Sequence, residues 1–318
     1  MKFELLAGRD HSAHPELALW HGNIGHPVAL DLAPPAPAGV KRIDVLSWNL
    51  AIGRAYLDEL VSRLKTAAFD RVGCEIDRPF VILAQEALRS DPTVPETPTN
   101  DYHGGHTPVG VRRDIVDFAA EHKFSLRYAP SMRNGQHRSD RGNAILSNVA
   151  INDSRAFVLP YIRQRRVVVK VELQNLTWLT FVSMHLDTGG RLPNASMFGS
   201  FGAGRAAQSD ELISRLEERR ARQCVIIGAD LNTPLGARDP AVRALSKGGL
   251  IPAEGSARLG HTFHGPIRLL LDHVLYRTVN NRITRVEVTR LDELRDDSGR
   301  RVFGSDHHPL LARVELGR

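Results

Sequence analysis

The chain has 318 residues, enough for one large domain or two ordinary ones. Hydrophobic residues make up 42% and charged residues 25%, an ordinary globular composition with enough apolar material for a sizeable core. Basic residues outnumber acidic ones by 42 to 36, so the net charge of +6 favours polyanionic partners unless the excess is spread over solvated faces.

Cysteine content and hydropathy exclude several classes of protein. Cys74 and Cys224 are the two cysteines, which excludes a disulfide framework and a cysteine-based zinc site. No long uncharged apolar run occurs, so no membrane span is predicted. Charged residues at Lys2 and Glu4 leave no room for a signal-peptide core, which predicts a cytoplasmic location. No obligate protein partner is evident.

Residues 1–40 differ in composition from the rest of the chain. They end in a Pro-rich stretch at 33–39, which is typical of a stiff linker. They also contain four histidines, whose spacing fits no standard metal site and favours ordinary surface residues. These are His11, His14, His21 and His26. We therefore predict a His/Pro-rich lead segment at 1–40 and a single larger domain at 41–318.

Strand and helix signals alternate after this segment. Apolar runs predict strands at 43–48, 80–84, 125–129, 143–147, 167–173, 178–184, 225–228, 269–276, 283–289 and 310–314. Amphipathic periodicity predicts helices at 56–69, 111–122 and 205–222, and polar loops are predicted at 89–110 and 189–204. Because both hairpins and strand–helix crossovers occur, a mixed sheet or a pair of packed sheets with outer helices is indicated.

Six short polar signatures lie at the ends of these apolar runs. They are Ser47-Trp48-Asn49, Gln85-Glu86, Met184 to Asp187, Gly228 to Asn232, Leu271-Asp272-His273 and Ser305 to Pro309. Strand ends display side chains at one rim of a sheet, so we expect these groups to meet. Each signature has a simple structural explanation, but together they are typical of a hard-metal site beside a phosphate site.

The carboxylates and amides of these signatures suit Mg²⁺, Mn²⁺ or Ca²⁺ rather than zinc. Glu86 is the leading candidate ligand, because a lone Glu after an apolar run needs a partner; the alternative is that it starts a surface helix. If the strand stays extended at Asp230 and Asn232, their side chains point the same way. The carboxylate can then orient or deprotonate a water while the amide binds a phosphoryl oxygen. An Asx-turn is the structural alternative.

Two histidines complete the predicted chemistry. His307 lies in a tight polar cluster, and Asp272 is the natural carboxylate to orient it, since an Asp among leucines is costly to bury unpaired. His185 is a second imidazole at the same rim. For either residue taken alone, a hydrogen-bonded structural histidine is the alternative.

The ordered set of motifs, together with Arg141 to Ser147, resembles the endonuclease/exonuclease/phosphatase superfamily over about residues 43–315. The resemblance implies a four-layer α/β sandwich, in which two packed mixed β-sheets are flanked by helices, and one or two Mg²⁺ or Mn²⁺ ions. It is specific for the superfamily but not for the substrate.

The resemblance also implies roles for individual residues. Asn49 and Glu86 would hold the metal, with Asp306 as a ligand or a supporting group. Asp230 would position or deprotonate the attacking water, and Asn232 would contact the phosphate. The remaining implied site residues are His307, oriented by Asp272, for the transition-state phosphate, His185 for phosphate contact or leaving-group protonation, and Asn143 in support of the same rim. Independently of the resemblance, the positions of Arg141 and Arg191 in or near the loops that flank the motifs predict that they bind phosphate or substrate together with Asn143.

The histidine at position 185 makes the chain resemble the deoxyribonuclease, sphingomyelinase, deadenylase and 5-phosphatase branches of this superfamily more than the abasic-endonuclease branch. A metal-dependent phosphodiesterase acting by in-line water attack is predicted, with nucleic acid favoured as the substrate. Eight arginines near the motifs could track a polyanion: Arg133, Arg138, Arg141, Arg163, Arg165, Arg166, Arg191 and Arg205. The alternatives are a lipid or inositol-phosphate hydrolase, for which residues 196–201 offer a thin apolar hairpin, and a catalytically idle binding protein.

Overall fold

The computed structural model describes residues 3–8, 15–65, 78–99, 106–188, 202–217, 223–291 and 303–317. The helices in these ranges are α1 (Pro15–Gly22), α2 (Leu57–Lys65), α3 (Ile115–His122), α4 (Ala203–Glu217) and α5 (Pro240–Lys247). The strands are β1 (Leu5–Leu6), β2 (Val28–Leu30), β3 (Arg42–Asn49), β4 (Phe80–Arg89), β5 (Ser125–Arg133), β6 (Asp140–Ser147), β7 (Ile151–Val158), β8 (Val167–Leu173), β9 (Leu179–His185), β10 (Cys224–Asp230), β11 (Ile251–Pro252), β12 (Phe263–His264), β13 (Arg268–Leu269), β14 (Asp272–Arg277), β15 (Ile283–Arg290) and β16 (Leu310–Leu316).

Two mixed seven-stranded sheets form the centre of the molecule. The first has the strand order β1-β7-β8-β9-β10-β14-β11, and the second has the order β15-β16-β3-β4-β6-β5-β2. In each sheet a central pair is parallel, β9 with β10 and β3 with β4. Strands β14 and β16 then run antiparallel to β10 and β3. Strands β12 and β13 form a separate short hairpin.

Three apolar clusters define four layers. The cluster between the sheets includes Val81 of β4 and Phe181 of β9. Helices α2 and α3 cover the outer face of the second sheet, where Leu60 and Phe118 are buried. Helices α4 and α5 cover the outer face of the first sheet, where Leu212 packs. The four-layer α/β sandwich that the family resemblance implies is therefore confirmed.

Alternation along the strands decides which side chains point between the sheets. In β3, Val45 faces the other sheet, whereas Leu46 and Trp48 face the helices. In β10, Ile226 faces the other sheet and Ile227 faces the helices. The polar residues that end these strands continue the inward series, so their side chains meet between the two sheets at one rim.

The described part of residues 1–40 contributes to both sheets. Strand β1 pairs with β7, strand β2 pairs with β5, and Leu17 of α1 is buried in the cluster between the sheets. The division of the chain at residue 40 stays a prediction. His11 and His14 lie outside the described residues.

Most predicted elements are present with different ends. Strand β8 has the predicted bounds, but β4 runs on to Arg89 across a register shift between Ala84 and Ala87. The third helix begins at Ile115 rather than at 111, because the Asp114 side chain accepts hydrogen bonds from the first turn. The predicted strand at 269–276 is two strands, β13 and β14. Within the described ranges, no helix is long and apolar enough to cross a membrane.

Candidate active site

One rim of the sandwich collects the polar strand termini. Strands β3, β9 and β10 end there, β4 passes the rim at its register shift, and the antiparallel strands β14 and β16 begin there. The signature Gln85-Glu86 therefore lies within a strand rather than at its end, and two other signatures lie at the start of a strand. Asp272 is the first residue of β14, and Asp306 precedes β16. An antiparallel strand starts where its neighbour ends, so Asp230 pairs in register with both His185 and Asp272.

Asp230 is the centre of a buried network and is 1% exposed. Asn49 Nδ2 donates to its Oδ2 at 2.9 Å, and the Asn232 main-chain N–H donates to its Oδ1 at 3.1 Å. The second contact is an Asx-turn, and Asn232 has a φ of 49°, so the extended geometry expected after Asp230 is wrong. Even so, Asn232 Nδ2 lies 3.0 Å from His185 Nε2.

His307 is held on both its ring and its backbone. Its Nδ1 lies 2.8 Å from Asp272 Oδ2, the pairing that was predicted, and its Nε2 lies 3.8 Å from Asp230 Oδ2. Trp48 Nε1 donates to the His307 carbonyl at 2.9 Å. Thr262 Oγ1 in turn accepts from the Asp272 N–H at 3.0 Å. The imidazole therefore has a fixed direction between two carboxylates.

Burial and neighbouring charges shift the pKa values of these groups. Burial lowers the pKa of His307, but Asp272 and Asp230 outweigh it and raise that pKa to about 10. Burial raises the pKa of Asp230 to about 6, with His307 opposing and Asp272 adding to the rise. Asp230 is thus a stronger base than an exposed aspartate, while His307 stays protonated at neutral pH.

His185 is neutral and has a defined tautomer. Burial, followed by the charge of Arg166, holds the pKa of His185 well below its usual range. Arg166 Nη1 lies 3.1 Å from His185 Nδ1, and a guanidinium can only donate, so Nδ1 accepts. The ring proton therefore sits on Nε2, which lies 3.3 Å from Asp230 Oδ2, and in this tautomer the 3.0 Å contact from Asn232 Nδ2 to Nε2 joins two donors and is not a hydrogen bond.

Glu86 occupies the register shift in β4. Its φ of 49° is unusual for a residue other than glycine, and the twist breaks the alternation that would send its side chain into a sheet face. Within the described residues, its half-buried carboxylate makes no hydrogen bond or ion pair. It lines a small cavity with Arg141, Arg166 and His185. Gln85, by contrast, spans the sandwich and donates to Gly228 O at 3.2 Å.

The predicted metal ligands lie on adjoining segments. Asn49 pairs in register with Gln85, the residue before Glu86, and Ser305 Oγ donates to the Asn49 carbonyl at 2.7 Å, next to Asp306. Asp306 is half exposed and lies 3.4 Å from Arg54. An unpaired carboxylate, a second accessible carboxylate and an amide oxygen form a donor set that fits a hard divalent cation.

The predicted substrate-binding residues have different outcomes. Asn143 Nδ2 donates to Val167 O at 2.8 Å and so ties the two sheets together. Arg141 is buried, and its Nε and Nη1 have no hydrogen-bond partner, although Nη2 lies 3.0 Å from Met132 Sδ. Arg191 lies outside the described residues. Phosphate binding by these three residues stays a prediction.

The contact between Arg166 and His185 was not predicted from the sequence. Arg166 was predicted only as one of eight arginines that could follow a polyanion. The sequence does contain a signal for this contact, because the residues just before β8, including Arg166, lie opposite the end of β9, including His185, in the predicted hairpin. The polyanion role is wrong for Arg133, Arg165 and Arg205, which are 0 to 1% exposed. Arg205, for example, donates to Asp239 Oδ2 at 2.8 Å.

The fold is a four-layer sandwich, and carboxylate, amide and imidazole side chains lie together at one rim of it. The chain matches the model of the Endonuclease/Exonuclease/phosphatase family over residues 46–307, and it belongs to that family. Members of this family are typically hydrolases that act on phosphoester bonds, and they generally use divalent metal ions.

Solved structures show the same fold at low sequence identity. An endonuclease/exonuclease/phosphatase from Bacteroides vulgatus is 12% identical with a TM-score of 0.57, over 87% of this chain and 99% of that one. TDP2 from C. elegans is 16% identical with a TM-score of 0.51, over 87% and 77%. The human Nocturnin catalytic domain is also 16% identical with a TM-score of 0.51, over 92% and 97%. No curated protein sequence gives a match.

Proposed function

We propose that this protein is a metal-dependent phosphodiesterase that cleaves a P–O bond by in-line attack of water, with nucleic acid as its favoured substrate. The buried Asp230 network carries the proposal. A carboxylate fixed by Asn49 lies 3.3 Å from one imidazole, His185, and 3.8 Å from a second, His307. A general base (Asp230), a neutral hydrogen-bond donor (His185) and a positively charged donor (His307) therefore lie together at one rim of the sandwich.

Asn49, Glu86 and Asp306 would hold one or two Mg²⁺ or Mn²⁺ ions. The bound ion supplies positive charge against the negative charge that develops on the phosphoryl oxygens. The proposal rests here on the free carboxylate of Glu86 and on the oxygen chemistry of all three side chains.

Asp230 would accept the proton of the attacking water. Its two oxygens are fixed by the N–H groups of Asn49 and Asn232, so the remaining lone pairs have set directions. A pKa of about 6 keeps the carboxylate ionised at neutral pH, and yet makes it more basic than a solvated aspartate. Both properties suit a general base.

His307 and His185 would contact the phosphate from different sides. Protonated His307, oriented by Asp272, offers its Nε2–H to a phosphoryl oxygen. Neutral His185 offers Nε2–H because Arg166 occupies its Nδ1. The unpaired donors of buried Arg141 lie in the cavity that Glu86 lines, and they add positive charge for the phosphate.

A nucleic-acid substrate is supported by charge and shape. A groove of about 680 Å³ includes Arg54, which lies 3.4 Å from Asp306. It is lined by Tyr56, two carboxylates (Asp58 and Glu59) and four arginines, so arginines outnumber carboxylates in its lining. The four arginines are Arg54, Arg63, Arg112 and Arg113. The net charge of +6 acts in the same direction, since a strand of phosphates is attracted to a basic groove.

A substrate panel tests the proposal. The purified protein is assayed with Mg²⁺ or Mn²⁺ on bis-p-nitrophenyl phosphate, DNA, RNA, a choline phospholipid and an inositol phosphate. We expect chelator-sensitive turnover that is lost in Glu86→Gln and kept in the exposed control Glu16→Gln. Preference for the lipid or the inositol phosphate would refute the nucleic-acid assignment, and no turnover on any substrate would leave an idle binding protein.

A further inference from the structure

A second cluster of potential metal ligands lies behind the catalytic rim. His261, His264 and His308 offer ring nitrogens that all lie within 4.8 Å of one another. We propose that these three imidazoles bind a late first-row divalent ion of the zinc class, at a site separate from the oxygen ligands of the rim. Nothing in the proposed phosphodiesterase chemistry uses these side chains.

The backbone brings the three histidines together. His264 N donates to Asp306 O at 2.8 Å, and His308 N donates to Thr262 O at 2.7 Å, so the β12 segment pairs with the segment around His307. His261 lies just before this pairing, and Arg290 Nη1 holds its carbonyl at 2.6 Å. Cross-strand pairing, rather than closeness in sequence, creates the cluster.

Ring geometry is compatible with shared coordination. The ring centroids of His264 and His308 are 3.8 Å apart, and those of His261 lie 5.6 Å from His264 and 5.4 Å from His308. Imidazole nitrogens on one tetrahedral zinc are about 3.4 Å apart and their ring centroids about 5 Å apart, given Zn–N bonds of about 2.1 Å. The two His261 centroid distances fit this spacing, whereas the half-buried His264 ring would have to move about 1 Å further from His308 for both to bind one ion.

The donor chemistry selects the ion. Neutral imidazoles suit zinc, copper and nickel, whereas Mg²⁺ and Mn²⁺ prefer oxygen. His308 Nδ1 lies 3.2 Å from Leu291 O, and a carbonyl can only accept, so Nδ1 carries the proton and Nε2 keeps the lone pair. A ligand histidine with its other nitrogen on a carbonyl is the usual outer-shell arrangement of such sites. Three histidines leave one coordination position open.

An ion at this site would connect the β12–β13 hairpin to the catalytic segment. His308 follows His307 directly, and Thr262, between His261 and Phe263, holds the Asp272 N–H that helps to orient His307. Binding to the folded state alone stabilises it by mass action, so the ion would raise the melting temperature. The same contacts would restrain the position of His307.

Zinc titration in excess Mg²⁺ tests the site. Calorimetry and Co²⁺ absorption spectra are recorded for the wild type, His264→Gln, His261→Gln and the exposed control His106→Gln, with far-UV circular dichroism to confirm folding. We expect either cluster variant to weaken Zn²⁺ binding by more than about tenfold and to lose the zinc-induced rise in melting temperature. We expect the His106→Gln control to match the wild type.

A rim variant separates this site from the catalytic proposal. Glu86→Gln should lose turnover and still bind Zn²⁺ as the wild type does. If Glu86→Gln loses Zn²⁺ binding while both cluster variants keep it, zinc occupies the rim and the three-histidine site is refuted. Equal Zn²⁺ affinity and equal Co²⁺ spectra in all variants would refute it as well.

Discussion

At the scale of single residues, Asp230 and His307 share one buried space and have opposite tasks. Their nearest polar atoms are 3.8 Å apart, and both side chains are less than 10% exposed. Burial makes the carboxylate more basic, while two carboxylates keep the imidazole charged. Replacing Asp230 removes a negative charge that stabilises protonated His307, and replacing His307 removes a positive charge that stabilises ionised Asp230. In either case a charged group stays buried with fewer partners.

Asp230→Asn and His307→Ala should each lower kcat by at least about a hundredfold, because general-base and charge-stabilising groups contribute on that scale. Steady-state kinetics on bis-p-nitrophenyl phosphate measure the loss, and circular dichroism confirms that each variant folds. Asp153→Asn, a half-buried change in β7 remote from the rim, is the control and should keep its activity. Retained turnover in either site variant would remove that residue from the mechanism.

His273 is a buried histidine whose effect is on stability. Burial lowers its pKa to about 4, despite the opposing carboxylates of Asp272 and Asp239, and Thr233 Oγ1 lies 3.3 Å from its Nε2. An unfolded chain restores the pKa to about 6.5. Above that pH the ring is neutral in both states and stability is complete. As the pH falls from about 6.5 to about 4, the unfolded state takes up the proton first and stability is lost.

The expected loss through His273 is about 3 kcal/mol across this window, since each pKa unit corresponds to about 1.4 kcal/mol. Urea unfolding at pH 4 to 7 checks it. His273→Gln should show a shallower fall in the free energy of unfolding than the wild type, by about one proton. The exposed control His106→Gln should follow the wild-type curve, and identical curves for all three proteins would contradict the assignment.

At the scale of elements, the strands leave the rim through unusual backbone conformations. Ala51 and Ile52 after β3, Glu86 in β4 and Asn232 after β10 all have φ between 47° and 58°. For β-branched Ile52 this conformation is costly, and such strain is maintained only where the surroundings impose it. These residues lie next to Asn49, Gln85 and Asp230, so the backbone turns away where the side chains must project.

Close approach of the two sheets is the second element-scale feature. A Cβ atom on Gly228 of β10 would lie 2.5 Å from Ser47 Oγ and 2.8 Å from Leu83 Cδ1, both in the opposite sheet. Gly228→Ala should therefore reduce the free energy of unfolding by about 1–3 kcal/mol through overpacking. Urea denaturation measures it. Gly22→Ala, where nothing lies within 4 Å of the added atom, is the control and should change stability little.

At the scale of the whole molecule, the charge distribution leads to a prediction about binding. The net charge is +6, and the groove beside Asp306 is lined by four arginines against two carboxylates, Asp58 and Glu59. If the arginines contact phosphates, the affinity for DNA should fall linearly with the logarithm of salt concentration, by a slope of about 0.9 for each phosphate neutralised on duplex DNA. Fluorescence anisotropy with a catalytically inactive variant, in chelator, measures the slope. Affinity that is independent of salt would contradict the basic groove.

Part of the fold could be read from local patterns. The strand at 167–173 and the turn into the next strand follow from period-two apolar alternation. Strand β7 was not predicted, because its sequence INDSRAFV mixes polar and apolar residues along a half-exposed surface. Helix α5 was not predicted either, although Asp239 before Pro240 is a recognisable N-terminal signal.

The sequence by itself determined the chemistry and the side-chain direction. Residue types at the strand ends specify oxygen ligands, imidazoles and amides, and alternation sends Asn49, His185 and Asp230 to the inner face, because both properties are local to a strand. Only the tertiary structure decided which ends share a rim, that Asp272 starts its strand, that Arg166 fixes the His185 tautomer, and that three distant histidines converge. Strand pairing and burial join residues that lie far apart in the chain, and no local pattern records those contacts.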